Sequence, residues 1–161
     1  MSEFRVAKRR AGAELTLSTG AAVHGCFFLS GSSPTHAGPE RVADLLNGEI
    51  GFFPFELTPN GSDGSTTVLV NRTQVLMVRL VEQTGEAQLD PGYDVATARQ
   101  VRILLSNGST VSGSVRVYRP TGRDRLSDYA RSSDAFRYVE SGEATYIVNS
   151  AHIVELMEIS E

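Results

Sequence analysis

The sequence predicts a mainly β fold made by tandem duplication, with two small five-stranded barrels and a short helix inserted in each. Three observations carry that expectation. A stretch of alternating apolar residues that runs through a turn to a glycine occurs twice, at residues 15–25 and 103–113. Two more correspondences follow at shorter spacing: Arg41, Asp44 and Leu45 with Arg125, Asp128 and Tyr129, then Val70-Asn71 with Val148-Asn149. The spacing changes only in two segments rich in Gly, Ser and Pro, residues 30–38 and 59–65, which is where insertions are tolerated between elements.

Each element follows from local chemistry. The first strand of each copy alternates apolar residues, Leu15 and Leu17 or Val101, Ile103 and Leu105. Ser18-Thr19-Gly20 and Ser106-Asn107-Gly108 are turn sequences, and Asn-Gly is a strong hairpin signal. The second strand carries Val23, Phe27 and Leu29, or Val111, Val115 and Val117, with Gly25 and Gly113 where a strand must bend sharply. A short helix comes next. Pro39 suits its first turn and Gly48 its end, while Val42, Leu45 and Leu46 make one apolar stripe, repeated by Leu126, Tyr129 and Ala130. Strands are expected at 52–57 and 136–139, then at 66–70 and 75–80, and at 145–148 and 153–159. The domain plan is a basic N-terminal tail (1–12), a first barrel (13–82), an acidic linker (83–98) and a second barrel (99–161).

Charge is uneven along this plan. The formal net charge of −4 comprises +3 in the tail, −4 in the first copy, −3 in the linker and 0 in the second copy. Such a balance lacks the basic signature of a dedicated nucleic-acid binder. A single cysteine, Cys26, forms no disulfide within the chain, so a reducing compartment is expected. No apolar run follows the charged N-terminus, and no stretch nears the roughly 18 apolar residues of a membrane span. The cytoplasm is the expected location, with no membrane contact.

Catalytic constellations are absent from the sequence. His24, His36 and His152 stand in no recognisable triad, and no glycine-rich loop opens a helix to cradle phosphate. His24 and Cys26 share a strand face, but two ligands do not make a metal site. No metal, cofactor or small-molecule substrate is expected, and the protein is not expected to be an enzyme. The copies differ informatively. Phe28, Phe53 and Met77 align with Arg116, Arg137 and Glu155, at positions that strand alternation turns away from their own core. An exposed apolar patch of this kind implies a covering surface, so these three residues are the candidate protein interface. Arg116, Arg119, Arg123 and Arg137 are the candidate RNA-binding residues, because guanidinium groups match phosphate in a bidentate fork.

The final strand pair also carries a family resemblance. Residues 68–78 and 147–156 resemble the second sequence motif of the Sm-like family, a strand, a tight turn with a polar residue, and a last strand with spaced aliphatics. Residues 20–25 and 108–113 resemble the family's first motif, and residues 125–129 are similar to a group of uncharacterised bacterial Sm-like proteins. The resemblance implies a strongly bent five-stranded sheet closing into a small barrel, association through edge strands, and, in ring-forming members, RNA as ligand. The function expected is therefore a non-catalytic intracellular interaction or scaffold module that binds protein or self-associates. The alternative is an RNA-binding protein that uses the arginine-rich face of the second copy.

Overall fold

The computed structural model describes residues 8–31, 39–48, 51–59, 64, 66–81, 86–90, 92–118, 125–130 and 134–159. The element order repeats. The first copy runs β1 (Lys8–Leu17), β2 (Ala22–Ser30), α1 (Val42–Gly48), β3 (Phe52–Leu57), β4 (Thr66–Asn71) and β5 (Val75–Leu80). The second runs β6 (Thr97–Leu105), β7 (Thr110–Val117), α2 (Leu126–Ala130), β8 (Phe136–Glu140), β9 (Thr145–Asn149) and β10 (Ile153–Glu158). A 3-10 turn joins the last two strands of each, Arg72–Gln74 and Ser150–His152.

Register repeats as well as order. Leu15 faces Val78 across β1–β5, and Ile103 faces Leu156 across β6–β10. Phe52 faces Asn71 across β3–β4, and Phe136 faces Asn149 across β8–β9. The reason is local. Asn71 and Asn149 each accept the amide of the residue two further on, from Thr73 and Ala151 at 3.1 and 3.0 Å, so the same side chain sets the same turn. Gly25 and Gly113 are equally matched. A Cβ at Gly113 would sit 2.7 Å from the carbonyl oxygen of Glu140, and one at Gly25 would strike that of Glu56. Only glycine lets the second strand fold across the third this closely.

The mainly β expectation holds, but the ten strands form one open antiparallel sheet and no closed barrel. Its order is β10-β6-β7-β8-β9-β5-β1-β2-β3-β4. Each copy supplies five consecutive strands in the same internal order, and the copies meet where β9 pairs with β5. Thus the fourth strand of one copy joins the fifth of the other, and the sheet ends at β4 and β10. Two further expectations need correction. Residues 8–12, placed in a basic tail, are the first half of β1 and pair with β2 from Lys8↔Ser30 onward. The segment read as a linker is partly interior, with Glu86 and Ala87 buried.

Two cores lie along this sheet, and they are interleaved. The first gathers Leu15, Phe27, Leu29, Val42, Leu46, Phe53, Phe55 and Val78, and is completed by Phe136 and Ile147 from the second copy. The second gathers Val101, Ile103, Leu105, Val111, Val115 and Tyr129, and is completed by Leu76 from the first copy. Strand alternation explains the exchange. On β9, Ile147 points into the first core and Val148 into the second. On β5 a register shift between Val75 and Met77 interrupts the alternation, and Val75 and Val78 serve the first core while Leu76 serves the second. No helix among the described residues is long and apolar enough to cross a membrane.

Candidate functional site at the joint between the copies

The joint is fastened by polar groups that local sequence gives no reason to group. Asn149 is buried, and its Nδ2 donates to the Val75 carbonyl at 2.9 Å. His152 Nε2 donates to the Thr73 carbonyl at 2.7 Å, while Ser106 Oγ donates to its Nδ1 at 2.9 Å. Asn47 of α1 behaves like a piece of strand toward β8. Its Nδ2 donates to the Phe136 carbonyl at 2.9 Å and its Oδ1 accepts the Phe136 amide at 2.8 Å.

A second fastening runs through the segment between the copies. Glu86 Oε1 accepts the Val42 amide at 3.1 Å, at the start of α1, and the Tyr138 hydroxyl at 2.9 Å. One carboxylate therefore holds a helix of the first copy and a strand of the second. Burial raises its pKa above the ordinary 4.5, against the opposing pull of those hydrogen bonds. Arg41 is buried beside it, donating to Asp44 at 2.9 Å, to Asp90, and to the Glu86 carbonyl at 3.2 Å. Desolvation opposes its charge, but the carboxylates of Asp44 and Asp90 outweigh it and raise the pKa further.

Beside this network lies a cleft of about 490 Å³, walled by α1, the inter-copy segment, β7, α2 and β8. Arg41, Arg116, Arg137, Asp44, Asp90, Asp134, Glu140, Tyr118, Tyr129 and Tyr138 line it. Three arginines here lie over tyrosine rings, Arg41 on Tyr138, Arg116 on Tyr93 and Arg137 on Tyr129, at 5.5, 4.1 and 4.9 Å from the centroids. Tyr129 is pushed up to about 12 by burial, which outweighs Arg137.

The residues predicted from sequence fall in different places. Arg116 and Arg137 are brought together in the cleft wall. Arg119 and Arg123 lie outside the described residues. Met77 is half-buried, pairs with Val148 and packs on the second core. Phe28 is half-buried, with the Arg10 guanidinium 5.7 Å from its ring centroid. Phe53 does not face outward. It is 1% exposed and stacks on Phe27 at 5.3 Å, so the outward residue of β3 is Phe52 and the expected face is wrong by one residue. His24 pairs with Glu14 at 3.1 Å. Among the described residues no group of three or more His, Cys, Asp or Glu is placed to hold a metal ion. Compared with models of known families, with curated protein sequences and with solved structures, the chain has no match.

Proposed function

We propose that the protein is a non-catalytic, self-associating scaffold that extends head to tail by the same strand pairing that joins its own two copies. One observation carries this reading. The large apolar residues exposed at the two ends of the sheet are the equivalents of residues buried at the internal joint. Phe136 and Ile147 are 4% and 0% exposed, whereas Phe52 and Leu69 are 59% and 69% exposed. Leu76 is 0% exposed, whereas its equivalent Val154 is 64% exposed. Asn149 binds a carbonyl of the other copy, and among the described residues the Nδ2 of Asn71 has no acceptor.

The reading assigns a register. The internal joint pairs Met77↔Val148, Val78↔Ile147 and Arg79↔Tyr146. Carried to the free edges, Glu155 of one molecule faces Val70 of the next, Leu156 faces Leu69, and Met157 faces Val68. An unpaired edge bearing apolar side chains is a template for another strand. Covering each such side chain contributes roughly 1.5–3 kcal/mol. The Sm-like resemblance supports the same mode, since edge-strand association is that family's habit.

The test uses the two edges separately, with mass in solution measured by light scattering. Wild-type protein is expected to form oligomers whose mass rises with concentration. Leu69→Asp blocks one edge and Val154→Asp the other, so each variant alone should be a monomer. An equimolar mixture should stop at a heterodimer, because one intact β10 edge meets one intact β4 edge. A monomeric wild type, or single variants that keep the wild-type mass, would overturn the reading.

A further inference from the structure

The cleft between the copies is not used by edge pairing, and its charges are unequally satisfied. Asp44 and Asp90 are committed to Arg41, and Glu140 accepts the Tyr93 hydroxyl at 2.7 Å. Among the described residues Arg116 has no carboxylate partner. Among the described residues its guanidinium meets only neutral oxygens, the Tyr93 hydroxyl at 3.2 Å and the Tyr93 and Ala96 carbonyls at 3.5 and 3.4 Å. Its Nε is buried with no hydrogen-bond acceptor. The Tyr93 ring, 4.1 Å from the guanidinium, offsets part of the cost of this half-buried charge, and a complementary anion would offset more of it. Arg137, one strand away on β8, brings a second guanidinium to the same wall, where its Nε and Nη1 donate to the Asp134 and Tyr129 carbonyls at 2.8 and 2.6 Å. At the cleft, Tyr118 is 45% exposed, and its hydroxyl is fixed to Asp90 at 3.0 Å, so the ring is held in place. In the first copy the equivalents of Arg116 and Arg137 are Phe28 and Phe53, so this chemistry belongs to the internal joint alone.

We propose that the cleft is a binding site for a small ring compound bearing a phosphate or carboxylate, about the size of a mononucleotide, with Arg116 and Arg137 taking the anion and Tyr118 the ring. The volume fits a ligand of that class. Guanidinium groups match either oxyanion in a planar fork, and a held tyrosine face stacks a ring at little entropic cost. Because the walls come from both copies and the segment between them, an occupant touches the joint from three sides.

Binding is measured by calorimetry and by amide chemical-shift mapping of the full chain. The probes are AMP, benzoate, adenosine, inorganic phosphate and a short oligoadenylate. AMP or benzoate is expected to bind at concentrations of about 1 mM or below, shifting the amides of Arg116 and Tyr118, while adenosine and inorganic phosphate bind more weakly. Arg116→Met should weaken the preferred probe by about ten- to a hundredfold, the range for losing a charge-assisted pair. Tyr118→Ala, at an exposed position past the end of β7, tests the ring contact without disturbing a core. The proposal is overturned if neither charged ring compound binds, if inorganic phosphate binds as well as AMP, or if both variants bind like wild type. Oligoadenylate binding without AMP binding would also overturn it, in favour of an RNA strand.

Discussion

Asn71 and Asn149 offer a measurement of the joint with its own internal control. Both cap the same turn, but only Asn149 also spans the copies. Replacing Asn71 by alanine removes the bonds from Thr73 N and Oγ1 at 3.1 and 2.9 Å, at a half-exposed site. The expected cost is about 0.5–1.5 kcal/mol, the usual net worth of a polar cap. Replacing Asn149 removes the equivalent bond from Ala151 and also the bond to Val75, inside a residue only 3% exposed. Taking a donor from a buried carbonyl adds about 1–3 kcal/mol. Asn149→Ala should therefore be the more destabilising by about 1–3 kcal/mol, which for a chain of this size is a melting temperature lower by roughly 2–12 °C. Both substitutions should be made in the Leu69→Asp background, so that self-association does not add to either value. Urea titration with two probes, one in each core, gives the difference directly. Equal costs for the two asparagines would refute the idea that the polar contact across β5–β9 holds the copies together.

Other expectations follow from the same packing. Phe53→Ala should cost about 3–5 kcal/mol by opening the first core, whereas Phe52→Ala should leave the monomer's stability within about 0.5 kcal/mol, as read by thermal melting. Gly25→Ala should fold poorly or not at all, because the new methyl group meets the Glu56 backbone; soluble expression and circular dichroism would show it. Glu86 has a folded pKa above its unfolded value, so the native state binds its proton more tightly. Its contribution is then fully present below the unfolded pKa near 4.5 and is lost as pH rises through the higher folded value. Glu86→Gln keeps the acceptor for Val42 and Tyr138, and should flatten that part of the stability–pH curve without lowering stability at neutral pH.

The repeated strands were legible because alternation, turn glycines and the two bend glycines are local signals that the chain writes twice. Arg41 and Asp44 were marked by their recurrence as Arg125 and Asp128, but the burial of the pair was not, since it depends on Asp90 and Glu86 of the segment between the copies. Phe53 was not. The run Phe52-Phe53-Pro54-Phe55 is apolar at every position, so alternation cannot say which side is inward, and comparison with the second copy misleads because Phe136 is buried by the first copy rather than its own. Glu86 reads as one acid among several in a connecting segment; its burial depends on Val42 and Tyr138, which are distant in sequence. The cleft is a meeting of five segments between Arg41 and Glu140, and no local pattern announces it.

The borrowing of Phe136 and Ile147 by the first core has a consequence for how the chain is made. A nascent chain presents residues up to Leu80 well before Ile147 exists, an interval on the order of 3–13 s at about 5–20 residues per second. During that wait the first half has an incomplete interior and an open β5 edge. The strand that closes it, β9, is the ninth of ten to be made, and the same strand of a neighbouring chain carries the same side chains. That interval is the stage at which exchange of β9 between neighbouring chains would compete with closure within one chain.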